Sequence, residues 1–223
     1  MFKKLRIGVL GSGSGTDLQS IVDASEKNMI NAEVVVVISD KSDAFCLKRA
    51  EKHNISCFFV DSKGLSREDH DKKIDNILEE KKVGLVVGAG YMKILSKCFI
   101  RKWYGKIINI HPALLPSFKG ANGQGDAIEY GVKISGCTTH FMNEEMDSGP
   151  IILQAAVKVM PNDNRDKIAT RILEVEHQIL PRTIDLFEQD RLKINGRKVE
   201  IAKGDSWKDK YTVFPDVLYS EGY

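Results

Sequence analysis

Cysteine is scarce in this chain, and the few cysteines are spread too widely to form a framework. Cys46, Cys57, Cys98 and Cys137 include no Cys-x-x-Cys pair among 223 residues. Closely paired cysteines are typical of zinc sites and redox motifs, and dense even sets are typical of small secreted disulfide proteins. We therefore expect no zinc site, no other metal and no disulfide scaffold, and we interpret the cysteines as small core residues.

Long apolar runs and an excess of one charge are also missing. No segment approaches the roughly 20 apolar residues that a membrane span needs, and the run Ile7 to Leu10 after the basic amino terminus is too short for a signal peptide. Basic residues number 33 and acidic residues 31, which gives a formal net charge of +2. We expect a cytoplasmic protein with no nucleic-acid or membrane partner. This charge balance is compatible with a small anionic substrate.

The chain instead contains apolar runs rich in β-branched residues, separated by helix-length segments. The runs are predicted to be strands: Leu5 to Leu10, Glu33 to Ser39, Cys57 to Val60, Val83 to Ala89 and Lys106 to Ile110. Parallel strands need a crossover that usually contains a helix. The alternation therefore predicts an α/β fold, a Rossmann-like three-layer sandwich with a mostly parallel sheet.

Helix signals lie between these runs. Thr16-x-x-Gln19 matches a capping box and Ser66-x-x-Asp69 is a close relative of one, so helices are predicted to begin there. A long helix is predicted from about Arg165 to Phe187, where apolar residues recur at steps of four and three and form one stripe. Pro181 is expected to kink or split this helix.

The second half of the chain adds strands and a hairpin. Strands are predicted at about 137–142 and 150–160, and Asn195-Gly196 between two short apolar runs is a strong hairpin signal. We find no linker or internal repeat. Residues 1–223 are therefore predicted to form a single domain, with a carboxyl-terminal hairpin and tail from about residue 192.

The most informative stretch runs from Asn109 to Gly120 and reads Asn-Ile-His-Pro-Ala-Leu-Leu-Pro-Ser-Phe-Lys-Gly. Its two prolines stop regular pairing, so His111 is expected at the carboxyl end of a strand, the edge where open α/β sheets bind ligands. Asp147 follows later in Asp-Ser-Gly-Pro. Taken alone, His111 could be a loop or core imidazole and Asp147 a turn former.

Together, Asn-x-His-Pro-x-Leu-Leu-Pro and Asp-x-Gly-Pro resemble the folate-dependent formyltransferases, and the resemblance runs from about Leu5 to Arg191. It implies the formyltransferase fold and transfer of the formyl group of 10-formyltetrahydrofolate to the amine of 5-phosphoribosylglycinamide in purine synthesis. The partners would be small-molecule substrates. The sequence does not fix the oligomeric state, and a homodimer is one arrangement that it allows.

The resemblance also assigns catalytic roles to Asn109, His111 and Asp147. Formyl transfer needs stabilisation of negative charge on the formyl oxygen and a path for a proton from the amine to the leaving nitrogen. An imidazole can serve both needs near neutral pH. Asp147 would favour the charged imidazolium, and Asn109 would add a neutral donor to the developing oxyanion.

Binding residues follow from the same resemblance. Ribonucleotide contacts would lie at a glycine-rich turn and on the long helix: Gly15, Thr16, Asp17, Leu173, Glu174, Val175 and Glu176. Folate contacts would lie in several loops: Arg67, Met92, Lys93, Ile94, Leu95, Asn109, Asn143, Glu144, Glu145 and Met146. Without the resemblance, the charged members would be interpreted as solvated side chains.

The glycine-rich turn, Gly11 to Thr16, follows the first strand and opens the first helix. Free backbone N–H groups and the helix dipole favour an anion at such a place. The turn lacks the Lys-Ser/Thr of a P-loop, and its glycines are spaced more tightly than Gly-x-Gly-x-x-Gly. A dinucleotide site is therefore a weak alternative, and a turn needed only for packing is another.

Two positions depart from the family pattern. Asp17 stands where the family commonly has Asn, and a carboxylate beside a phosphate is electrostatically awkward. Gln124 stands where many relatives have a His, and Gln cannot titrate near pH 7. Proton transfer would then depend more on His111 and water. His140 matches a second His near the site, although a buried strand His is its other interpretation.

The same residues leave three other functions to compare with formyl transfer. A formyltetrahydrofolate hydrolase, or deformylase, resembles this chain in its Asn, His and Asp, but usually carries an extra amino-terminal regulatory domain. A methionyl-tRNA formyltransferase resembles a longer protein with a basic tRNA surface. A nucleotide-binding regulatory module would leave the Asn109, His111 and Asp147 set unexplained.

Overall fold

The computed structural model describes residues 3–204 and 213–223. The chain divides into two compact units. Unit 1 comprises Met1–Asn109 and Met142–Glu144, and unit 2 comprises Ile110–Phe141 and Glu145–Tyr223. The single domain expected for residues 1–223 stays a prediction.

Unit 1 alternates strands and helices along the chain. Its strands are β1 (Leu5–Leu10), β2 (Ala32–Ser39), β3 (Ser56–Phe59), β4 (Leu85–Gly88) and β5 (Ile107–His111), of which the last two residues belong to unit 2. Its helices are α1 (Thr16–Glu26), α2 (Phe45–Lys52), α3 (Arg67–Glu80) and α4 (Lys97–Lys102). The predicted strands are confirmed, with bounds shifted by one or two residues.

The strands of unit 1 lie in the order β3-β2-β1-β4-β5, and each neighbouring pair is parallel. Right-handed crossovers in this order place α1 and α2 on one face and α3 and α4 on the other. Contacts between α1 and α2 and between α3 and α4 agree with that arrangement. The α/β class with a mostly parallel sheet between two helix layers is confirmed.

Unit 2 carries the rest of the secondary structure. Its elements are α5 (Gly123–Tyr130), β6 (Ile134–Phe141), β7 (Ile151–Lys158), α6 (Arg165–Glu188), β8 (Leu192–Asn195), β9 (Lys198–Ile201) and β10 (Leu218–Tyr219). The strands lie in the order β6-β7-β9-β8. The short strand β10 pairs with residues 155–156 of β7, on the edge of β7 opposite β6. Pairs β6/β7 and β8/β9 are antiparallel, and β7/β9 is parallel. The predicted hairpin at Asn195-Gly196 is confirmed.

One of the two predicted helix caps is confirmed. The Ser66 hydroxyl accepts the Asp69 N–H at 3.0 Å and begins α3. The capping box at Thr16 is wrong, because α1 begins after Gly15, whose φ is 70°. That left-handed conformation suits glycine, and the Gln19 N–H bonds the Gly15 carbonyl at 3.0 Å.

The long helix α6 is confirmed, and its apolar stripe is buried. The helix is continuous through Pro181, so a split is wrong, whereas a kink stays a prediction. An interior proline costs about 3 kcal/mol, and burial of a large apolar side chain returns about 1.5–3 kcal/mol. Ile179, Leu180 and Ile184 flank Pro181 and are fully buried, which is sufficient to hold the helix together.

Two details of the prediction need correction. Cys46 and Cys137 are buried, but Cys98 is exposed and Cys57 is partly exposed, so only two of the four cysteines are core residues. Cys98 lies on the outer face of α4, whose Phe99 and Ile100 fill the core instead. The tail contains the unexpected strand β10, and its residues 205–212 lie outside the described residues.

Candidate active site

His111 ends β5 and is almost fully buried, with 3% of its surface exposed. Its Nε2 lies 2.8 Å from the Phe118 carbonyl oxygen, and its Nδ1 lies 3.5 Å from Asp147 Oδ2. A carbonyl can only accept, so Nε2 carries a proton. Both ring nitrogens therefore face oxygen atoms, an arrangement that fixes the orientation of the ring.

Asp147 is both a turn residue and the partner of this histidine. Its φ is 48°, a left-handed conformation that Asp tolerates better than most residues. Its Oδ2 accepts the Gly120 N–H at 2.9 Å, and its Oδ1 lies 3.8 Å from His140 Nε2. The carboxylate thus holds both ends of the loop from His111 to Gly120.

His140 lies beside the same carboxylate but differs in protonation. Burial lowers the pKa of His140 to about 4, and this effect exceeds the opposite effects of the Phe141 carbonyl and Asp147. His140 is therefore neutral at pH 7, with Nδ1 3.0 Å from the Phe141 carbonyl. The Asp147 carboxylate therefore faces a neutral ring at His140 and accepts the Gly120 N–H.

Helix α5 begins against the ring of His111. A Cβ at Gly123 would lie 3.0 Å from the Phe118 oxygen and 3.4 Å from His111 Nε2, so a larger residue would press on this contact. The next residue, Gln124, is half-buried and supplies an amide where many relatives would have a titratable ring.

Asn109 has its side chain packed over a glycine of the neighbouring strand. It pairs with Gly88 of β4 in parallel register. A Cβ built on Gly88 would lie 2.7 Å from Asn109 Oδ1, which is closer than real side chains approach. Gly88 therefore makes the space that the Asn109 amide occupies.

The strand order of unit 1 reverses between β1 and β4, and ligands of open α/β sheets bind at the carboxyl ends beside such a reversal. Two loops meet there. The Ser12 hydroxyl donates to Asp40 Oδ1 at 2.5 Å and accepts the Met92 N–H at 2.8 Å, and the Ser12 N–H donates to the Gly90 carbonyl at 3.0 Å. Ser12 joins the glycine-rich turn to the segment that begins at Met92.

The glycine-rich turn packs closely on α2. A Cβ at Gly15 would lie 2.7 Å from Cys46 Cα, so the packing by itself is a sufficient reason for glycine at this position. Arg49 donates from Nε to the Ser14 carbonyl at 2.8 Å. Thr16 and Asp17 form the first turn of α1, where backbone N–H groups are available to an anion.

Asp17 is half-buried, and its Oδ1 is closed off from solvent. Burial raises the pKa of Asp17 from 3.8 to about 7. A large share of the molecules then carry a neutral acid at physiological pH. A neutral carboxylic acid has one donor and one acceptor, as an Asn amide does in outline, and this reduces the electrostatic conflict with a phosphate.

Asp17→Asn should raise Tm by about 3 °C or more at pH 8 and change it little at pH 4. Between pH 3.8 and about 7 the folded chain keeps a proton that the unfolded chain releases, so stability falls as pH rises through this window and stays low above it. Asn removes this loss. Thermal melts across pH test the sign, and an equal gain at every pH would instead indicate altered packing.

The residues assigned to folate differ in their exposure to solvent. Met92 and Ile94 are 57% and 58% exposed, Lys93 is exposed and Leu95 is buried, so two apolar side chains stand in solvent at the end of β4. Such side chains beside backbone polar groups fit a flat aromatic ring. Arg67 is the exposed first residue of α3.

Residues 143–146 divide between the units, with Asn143 and Glu144 in unit 1. Glu144 is more than a solvated charge, because its carboxylate lies 2.6 Å from Arg101 Nε and 3.5 Å from Lys97 Nζ on α4. The hydrogen bond from Arg101 lowers the pKa of Glu144. In unit 2, Met146 is exposed.

The acidic residue assigned to the acceptor on α6 is buried. Glu176 is 5% exposed, so its interpretation as a solvated helix charge is wrong. Val175 faces the core, Glu174 is exposed and Leu173 is half-buried. Only the Glu176 carboxylate combines charge with burial among these four residues.

Within residues 3–204 and 213–223, no group of three or more His, Cys, Asp and Glu side chains could hold a metal ion. No helix in this part of the chain is both long and apolar enough to cross a membrane.

Comparison with known families decides the relationship. The family described as formyl transferase matches residues 5–184, which cover most of both units. The chain belongs to this family.

This formyl transferase is similar to named relatives along most of its length. It is 43% identical over 190 residues to the phosphoribosylglycinamide formyltransferase of Haemophilus influenzae, covering 85% of the chain and 90% of that relative. It is 42% identical to the trifunctional purine biosynthetic protein adenosine-3 of Gallus gallus, covering 86% of the chain. The chain spans only 19% of the length of that multifunctional relative.

Solved structures agree. Glycinamide ribonucleotide transformylase 1 from Symbiobacterium toebii superposes with a TM-score of 0.88 at 43% identity, covering 91% of this chain and 96% of that one. A formyltetrahydrofolate deformylase from Pseudomonas syringae pv. tomato superposes with a TM-score of 0.84 at 27% identity. The match covers 91% of this chain but 67% of that one.

Local sequence patterns did not indicate the structural roles of three residues of this formyl transferase. Ser12 ties two loops, Gly88 makes space for Asn109, and Gly123 lies against His111. A glycine at the end of a predicted strand was a usable signal for Gly88. The other two depend on tertiary packing that has no local pattern.

Proposed function

We propose that this chain transfers the formyl group of 10-formyltetrahydrofolate to the amine of 5-phosphoribosylglycinamide, a step of purine biosynthesis. The observation that carries the proposal is the pairing of buried His111, at the carboxyl end of β5, with the partly buried Asp147. It supplies a fixed imidazole facing a carboxylate, which suits proton movement during acyl transfer.

In this proposal the catalytic work falls on three side chains. Bound 10-formyltetrahydrofolate supplies the electrophilic formyl carbon. With substrate bound, His111 would turn its Nε2 proton from the Phe118 carbonyl to the developing charge, and Asp147 at Nδ1 would stabilise the charged ring. The resemblance assigns the Asn109 amide as a neutral donor to the developing oxyanion, an effect of about 10²- to 10³-fold in comparable sites.

Substrate contacts are assigned by resemblance and supported by local chemistry. The start of α1 offers backbone N–H groups to the acceptor phosphate, and the buried Glu176 suits the glycinamide amine. The exposed Met92 and Ile94 suit the pterin ring. The only partners proposed are these small molecules.

The test is whether folate turnover depends on the acceptor. Bound ribonucleotide holds its amine against the formyl carbon and converts a bimolecular encounter into an oriented one, so water should compete poorly. We expect release of tetrahydrofolate to be at least about 10²-fold faster with 5-phosphoribosylglycinamide than without it. One formylated product should form per folate released.

Two variants sharpen this assay. Glu176→Ala should raise KM for the ribonucleotide and leave KM for folate within about two-fold, because Glu176 is assigned to the acceptor and not to folate. Asp166→Ala, an exposed acid on the first turn of the same helix, should leave both KM values unchanged. Rapid formate release that ignores the ribonucleotide would overturn the transferase and favour a deformylase.

A further inference from the structure

Two side chains of unit 2 hold the middle of the loop that follows His111. Gln154 of β7 donates from Nε2 to the Leu115 carbonyl at 2.9 Å and to Thr138 Oγ1 at 3.1 Å. The Thr138 hydroxyl donates to the Ala113 carbonyl at 2.7 Å and accepts the Leu115 N–H at 3.1 Å. The polar backbone groups at Ala113 and Leu115 are thus fixed by two neighbouring strands.

The position of this loop determines the surroundings of His111. Beyond Leu115, the Phe118 carbonyl meets His111 Nε2 and the Gly120 N–H meets Asp147. A shift of the loop middle would alter both contacts. Misplacement by about 1 Å can cost roughly 10²-fold in rate, even when it arises away from the reacting atoms.

Gln154 is itself held by the end of the chain. The Ser220 N–H donates to the Gln154 carbonyl at 2.9 Å, and Ser220 Oγ accepts the Gln154 N–H at 3.0 Å. Just before it, Leu218 and Tyr219 pair with β7 as β10. The backbone of Gln154 is therefore paired on this side with the chain terminus.

The carboxyl-terminal segment, residues 213–223, also has its own attachment to α6. Hydroxyl groups of Tyr219 and Tyr223 lie 2.5 and 3.1 Å from Gln178 Oε1, and the two rings stack at 3.9 Å. The buried Arg182 donates from Nε to the Gly222 carbonyl at 2.8 Å. These contacts place Ser220 against Gln154 and make the segment an integral part of unit 2.

We infer that Gln154 is a positioning residue for formyl transfer, and that the carboxyl-terminal segment acts on catalysis through it. The inference rests on the proposed function, because the proposed function assigns the rate-determining role to His111. Neither Gln154 nor the segment needs to touch a substrate. Their effect is expected on kcat and on the state of the His111 ring.

The first test is Gln154→Met, which keeps the length of the side chain and removes both of its donors. We expect kcat to fall about 10-fold while KM for each substrate stays within about two-fold, because binding contacts are untouched. The NMR resonances of the His111 ring should also shift. That signal needs no turnover, so it reports on Gln154 even if the proposed reaction fails. An unchanged kcat or unchanged His111 resonances would overturn the inference.

The second test is a double-mutant cycle with Ser220→Pro, which removes the N–H and hydroxyl that contact Gln154. Alone it should lower kcat about three- to five-fold, because it frees the backbone that carries the Gln154 side chain. It should add nothing in the Gln154→Met background, where that side chain no longer holds the loop. Tyr223→Phe is the matched control, since it removes one hydroxyl contact with Gln178 while the Tyr219 hydroxyl, the ring stack and Arg182 still hold Ser220 against Gln154. It should lower Tm with kcat unchanged. Additive losses, or equal kcat losses from Tyr223→Phe, would contradict the route through Gln154.

Discussion

Replacing His111 with Asn should lower kcat by at least about 10²-fold, while KM for folate stays within a few-fold. The imidazole is buried, fixed at Nε2 by the Phe118 carbonyl and faced at Nδ1 by Asp147. Asn keeps a polar group in the space but cannot take up or release a proton near neutral pH. Steady-state rates at saturating concentrations of both substrates measure the effect.

The chain offers a close control in His140, a second buried histidine beside the same carboxylate. Because His140 is neutral at pH 7, His140→Asn should reduce kcat at least about 10-fold less than His111→Asn. Asp147→Asn should also slow turnover, because it removes the carboxylate that faces the His111 ring. Near-normal kcat in His111→Asn would remove the ring from the mechanism.

Local sequence patterns were sufficient for most of the fold. The β-branched runs predict the strands of unit 1, Ser66 marks the start of α3, and proline after His111 places the ring at a strand end. Each feature depends on residues within one turn or strand. The helix start predicted at Thr16 is confirmed, but the capping box failed because Gly15, which packs on Cys46, occupies the cap position in a left-handed conformation.

Protonation states could not be predicted in this way, because they depend on burial by distant parts of the chain. Asp17 and His140 have shifted pKa values chiefly through burial. The burial of Glu176 was hidden for the same reason, because local sequence would place this side chain in solvent. Long-range contacts were equally hidden, as in the hydrogen bond between Ser12 and Met92, which are 80 residues apart.

Asn109→Ala should lower kcat by about 10²- to 10³-fold, the usual cost of losing one donor to a developing oxyanion. The donor acts only as charge develops, so KM for either substrate should change little. Measured kcat and KM for both substrates provide the comparison. Loss confined to KM would assign Asn109 to binding rather than to the chemical step.

Gly88→Ala tests the same amide without removing it. The added Cβ would lie 2.7 Å from Asn109 Oδ1, so the amide must move, and kcat should fall by about 10-fold although Asn109 is intact. Gly84→Ala is the matched control just before β4, because its nearest neighbour is the end of the Leu5 side chain at 3.1 Å, which can adjust. Equal kcat in the two variants would show that the position of the Asn109 amide does not limit turnover. A fall in Gly88→Ala alone, with similar Tm in both, would tie the rate to the space that glycine leaves for that amide.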